Sequence, residues 1–126
     1  MIQRRKPIRR SPVRKVNPKR KASEFARCYG SKARVAFVKA LPCAACGRQG
    51  QSENAHAFGD GAGRKGPYTA ILPLCGDCHR KQHSRGWSAL AWLRSPEIRI
   101  GWANVTEAGW QEHLSLQAYL NRGTEP

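Results

Sequence analysis

A chain of 126 residues with 23 Lys or Arg against 8 Asp or Glu carries a formal charge of +15 and has room for one domain. That balance predicts attraction to a polyanion, most commonly nucleic acid, with solubility and unspecific binding as the blander reading of a basic tail. No apolar run approaches the ~18 residues of a membrane span, and the charged N-terminus is not followed by an apolar stretch, so a cytoplasmic protein without secretory leader is expected.

Residues 1–21 hold ten Lys or Arg, three Pro and no acid. Such a composition buries too little apolar surface to offset the entropy of ordering, so the segment reads as a flexible basic arm carrying +10 of the total charge. Residues 22–126 are expected to fold, with a core over 40–86 and C-terminal helices over 87–122.

"SEFARCYGSKARVAFVKALPC" predicts two helical pieces, with Ser23 and Ser31 as N-caps, Gly30 as the break and Pro42 as the stop. Val35, Val38 and Leu41, with Phe37 beside them, supply an apolar face, and Cys28 reads as a small half-buried helix residue. "CAACGRQG" reads as a metal knuckle. "SENAHAF" and "YTAILPLC" have strand character and are joined by a loop over 59–66 with four glycines, which predicts a β-hairpin. In "GDCHRKQHSRG", Asp77 is placed to cap a short helix and Gly86 to end it. "WSALAWLRSP" predicts a short helix stopped by Pro96. "TEAGWQEHLSLQAYLNRG" predicts a longer one capped by Thr106, with Trp110, Leu114 and Ala118 on one face.

Four of the five cysteines form two C-x2-C pairs, Cys43 with Cys46 and Cys75 with Cys78. In a reducing compartment this spacing favours metal over disulfides, and four thiolates close a tetrahedral structural zinc site. A Cys-His finger fits less well, because Cys78 and His79 are adjacent and neighbours on a helix point about 100° apart. His79 and His83 stand four apart, so their imidazoles share one helical face. That face can hold a second metal ion, or it can be two solvated histidines on a basic helix.

The order of these parts is distinctive: a dicysteine, a strand ending in His56, a glycine-rich loop, a strand ending in "PLC", and "CHRKQH" on a helix. It resembles the HNH endonucleases, above all phage-encoded and recombination-associated members with an "AH" strand, a glycine and lysine loop and a "PLCxxCHxxxH" ending. The resemblance covers roughly residues 40–86. It implies a small α+β protein built on the ββα-metal module, with a structural zinc on the four cysteines and flanking helices. It implies His56 as general base and His79 and His83 as ligands of a catalytic divalent metal such as Mg or Mn. Two positions depart from the pattern. Ala55 stands where many relatives have another metal ligand, and the middle Asn of the motif has no clear counterpart. Asp60 in the loop is a candidate third ligand and Thr69 a candidate for the bracing role.

On this reading the partner is DNA and the reaction phosphodiester hydrolysis. A neutral imidazole suits activation of water, and a divalent cation suits the phosphate and the leaving oxygen. Imidazole ligands admit Mg, Mn, Ni or Zn. Arg64 and Lys65 in the loop, and Arg80 and Lys81 on the helix, are candidates for clamping the DNA backbone, or are solvated cations. The rivals are a non-catalytic zinc-stabilised DNA-binding module, which leaves the three histidines idle, and a basic structural protein of a ribosome or virion.

Overall fold

A computed structural model of the chain describes residues 7, 15, 17–59, 61 and 64–122. The described residues form a small α+β fold of four α-helices and a two-stranded antiparallel sheet. None of these helices is long and apolar enough to cross a membrane.

The first helix, α1 (Pro18–Tyr29), begins earlier than its sequence pattern predicts. Asn17 caps it by accepting from Lys19 N–H, and Pro18 occupies the first helical position, where its missing N–H costs no bond. Ser23 is therefore a mid-helix residue, and the basic arm loses residues 18–21 to the folded body. The rest of the expected arm lies almost wholly outside the described residues.

Gly30, at a φ of 81°, turns the chain into α2 (Lys32–Lys39), which Ser31 caps as expected. Arg34 of α2 is fully buried and pairs with Glu107 at 2.6 Å. A Cβ at Gly30 would come within 3.0 Å of the Arg34 side chain, so this turn needs glycine for space as well as for φ.

The hairpin follows the sequence pattern. β1 (Ser52–His56) pairs antiparallel with β2 (Ile71–Cys75), placing Ser52 opposite Cys75 and His56 opposite Ile71. All five β2 residues are buried, as a strand covered on both faces requires. α2 packs against β1, and a later helix against β2. In the connecting loop Gly59 bridges to Lys65, and a Cβ at Gly66 would lie 2.3 Å from the Phe58 carbonyl oxygen. Backbone approach, not flexibility, is what the glycine at 66 provides.

Helix α3 (Gly76–Arg85) starts directly from β2 and stops at Gly86, at a φ of 78°. Asp77 sits inside its first turn, not at the cap, which Cys75 occupies without a side-chain bond. Two 3-10 turns follow at Trp87–Ala89 and Ala91–Arg94, where a short helix was expected. Then α4 runs unbroken over Pro96–Arg122. Pro96 thus opens a helix instead of stopping one. Thr106 is buried in the middle of that helix and returns its hydroxyl to the Trp102 carbonyl. Leu72, Leu74, Leu90 and Leu93 form the centre of the core with the buried cysteines.

Candidate functional site

The cysteine cluster is built by the knuckle and the end of the hairpin. Cys43 N–H donates to the Arg48 carbonyl and Gly47 N–H to the Cys43 carbonyl, closing a turn that needs Gly47 at a φ of 78°. Ala44 N–H donates to the Pro73 carbonyl and fixes this turn beside β2. Cys75 ends β2, and Cys78 falls one turn into α3.

All four sulfurs lie within 4.8 Å of one another, with Cys46 Sγ and Cys75 Sγ 3.6 Å apart. Tetrahedral coordination at about 2.3 Å per bond places sulfurs about 3.8 Å apart, so the cluster is able to hold a metal such as zinc. Burial pushes the Cys43 thiol up, but the backbone N–H groups of Cys75, Cys46 and Ala45 outweigh it and bring the thiol down to about 7. Burial and the neighbouring Cys75 raise Cys78. Cys46 is also raised: the Arg48 N–H pulls it down, and its cysteine neighbours Cys43 and Cys75 overcome that pull. A cluster in which Cys43 ionises readily and Cys46 and Cys78 reluctantly is one a divalent cation would neutralise.

His79 and His83 project together from α3, with their Nε2 atoms 3.0 Å apart. Two nitrogen ligands at about 2.1 Å from one ion, subtending a right angle, are about 3.0 Å apart. Glu53, on β1, accepts from His79 Nδ1–H at 2.9 Å, which leaves the His79 Nε2 lone pair facing His83 Nε2. His56, at the end of β1, donates from Nε2 to the Cys28 carbonyl at 2.7 Å. A carbonyl only accepts, so Nδ1 is the basic nitrogen of that ring. Burial lowers the His56 pKa, the Cys28 carbonyl opposes this, and the charges of Lys65 and Arg27 add to the lowering.

All three histidines line one cleft of about 310 Å³ together with Asn54, Tyr29 and Lys65. Lys65 Nζ donates to the Tyr29 hydroxyl at 2.7 Å and lies 5.1 Å from that ring's centroid. Arg64 stands away from the cleft, 3.7 Å from Glu24. Arg80 is turned to Asp77, which also takes Arg48 at 3.1 Å. Lys81 is exposed, and Asp60 lies outside the described residues.

Thr69 is exposed on a 3-10 turn, whereas Asn54 Nδ2 donates to the Val35 carbonyl and ties β1 to α2. Glu53, Cys28 and Tyr29 were not singled out for the site from sequence. Glu53 left one signal, being the sole acid between Glu24 and Asp60 in a basic chain. Comparison with family models, curated proteins and solved structures returns no match.

Proposed function

We propose that the protein is a metal-dependent endonuclease of the HNH type that hydrolyses DNA phosphodiester bonds, with zinc on the four cysteines as its structural centre. The observation that carries this reading is the convergence of His56, His79 and His83 on one cleft, with the His79 and His83 Nε2 atoms at the separation of two ligands.

His56 takes the proton of the attacking water at Nδ1, because Nε2–H is held by the Cys28 carbonyl. Its lowered pKa keeps the ring neutral and ready near pH 7. Glu53 fixes the His79 tautomer, and α3 fixes the spacing to His83. Lys65 on the cleft wall offers a cation to the phosphate. A divalent metal held by His79 and His83 would supply Lewis acidity to the scissile phosphate and the leaving 3′ oxygen. The four cysteines would hold zinc between the knuckle and the β2–α3 junction, and zinc there would keep both histidines of α3 in place against β1.

The test is supercoiled plasmid incubated with freshly purified protein freed of exchangeable Mg and Mn, its zinc kept, with and without added Mg or Mn. Cleavage that requires added metal and falls by about 10²- to 10⁴-fold in His56→Ala, with zinc content and DNA affinity retained, is the expected result. A His56→Ala protein that cuts as fast as wild type, or a wild type that cuts nothing, replaces this reading with a non-catalytic zinc-stabilised DNA-binding module.

A further inference from the structure

Beside the histidine cleft, a groove of about 810 Å³ runs along α1. Residues 20, 21, 24, 25, 28 and 29 all face it, which is the i, i+4, i+8 spacing of one helical side. Arg20 and Lys21 stand at the N-terminal end of that side, and Arg64 and Lys65 close the groove from the hairpin loop. Glu24 is the one carboxylate among them, and it is engaged by Arg27 at 2.6 Å and Arg64 at 3.7 Å. Four cations therefore face one acid that is already paired.

Phe25 and Tyr29 lie between these charges. Their ring centroids are 5.5 Å apart, and Phe25 is 38% exposed although it is a large apolar side chain. Tyr29 in turn meets the edge of the His56 imidazole at 5.3 Å. Three rings thus form a row from the groove to the histidine cleft, and Tyr29 and Lys65 line both.

We infer that this groove seats a polynucleotide strand with unpaired bases, stacked on Phe25 and Tyr29 and held by its phosphates at Arg20, Lys21 and the loop cations. In a duplex the base faces are covered by their neighbours, so an aromatic shelf adds affinity only for bases that are free. The cations alone would serve any polyanion; the exposed Phe25 ring between them, with the half-buried Tyr29 beside it, discriminates. The inference rests on the endonuclease reading only for the strand's destination: a strand lying on Phe25 and Tyr29 delivers its next phosphate to His56.

Binding is measured by fluorescence anisotropy without added divalent metal, using a short mixed-sequence DNA oligonucleotide, its duplex, and RNA of the same sequence. Phe25→Ala should weaken single-strand binding by about 5- to 100-fold and leave duplex binding unchanged. The DNA and RNA arms show which strand the groove takes. Phe25→Trp should keep single-strand affinity, and its added emission should be quenched by single strand and not by duplex. Equal losses for single strand and duplex in Phe25→Ala, unchanged single-strand affinity, or an unquenched Phe25→Trp overturns the inference. Metal-dependent cleavage with no effect of Phe25→Ala on binding removes the groove and leaves the nuclease. Phe25-dependent binding without cleavage under any divalent metal does the reverse.

Discussion

Glu53 does for His79 what the Cys28 carbonyl does for His56: each takes the N–H of one ring nitrogen and leaves the other with its lone pair. On the endonuclease reading the two histidines would thereby take different duties, one as ligand and one as base. Glu53→Ala should raise the Mn concentration needed for half-maximal cleavage by about 10- to 100-fold while leaving the rate at saturating Mn near wild type. An unchanged Mn midpoint would remove Glu53 from the metal centre. At saturating metal, cleavage should rise with pH through a value below the ordinary histidine value of about 6.5 and be level above it, because burial lowers His56. The same shift bears on stability. The fold favours the neutral ring, so the contribution is complete above the unfolded value and is lost as pH falls through the lower, folded one. The histidines were legible in sequence because a four-residue spacing on a helix is local. Glu53 and Cys28 were not, since their contacts span 26 and 28 residues and depend on how α1 and the hairpin come together.

Between elements, one contact joining α2 to α4 is an ion pair: Arg34 is buried, Nη2 and Nε both reach Glu107 Oε2, and its guanidinium lies 5.3 Å from the Tyr68 ring centroid. A buried cation is tolerable only while it is paired, and Arg34 Nη1 already lacks a partner. Glu107→Ala should therefore cost about 3 kcal/mol or more of unfolding free energy in a urea melt, without changing zinc content. A loss within about 0.5 kcal/mol would mean that Arg34 does not depend on Glu107. Elements with local signals were readable from sequence: the Ser31 cap, the Gly30 and Gly86 stops, the knuckle and the hairpin. Pro96 misled because proline both ends helices and opens them, and the choice depends on whether the following residues pack. Here Ala103, Thr106 and Trp110 bury one side of α4 and carry the helix through Gly101. Thr106 then had the composition of a cap but the surroundings of a core residue.

Over the whole molecule, charge is divided between two regions. α4 holds three acids and two arginines, whereas the arm, α1 and the hairpin loop are strongly basic. The cysteine cluster brings the knuckle together with the end of β2 and the start of α3, and Trp92 Nε1 donates to the Ala44 carbonyl from the chain leading to α4. If the four sulfurs share a zinc ion, Cys75→Ser should release it and unfold the central module, read as loss of bound metal and of the cooperative thermal transition, because a core this small would depend on such a metal. A variant that keeps one tightly bound zinc and the native transition would show that the four sulfurs do not share an ion. The arm is a separate matter, since α1 begins at Pro18 with Asn17 as its cap. Deleting residues 1–16 removes seven of the 23 Lys and Arg and spares both the cap and the α1 groove. Each phosphate neutralised by the arm releases counterions, so the truncated protein should bind duplex DNA more weakly at low salt, with a salt slope shallower by as much as about six. The two binding curves should converge as salt rises, with helix content and zinc content unchanged. Equal slopes for the full and truncated chains would show that these cations do not neutralise DNA, and would leave α1 and the hairpin loop as the basic surface that does.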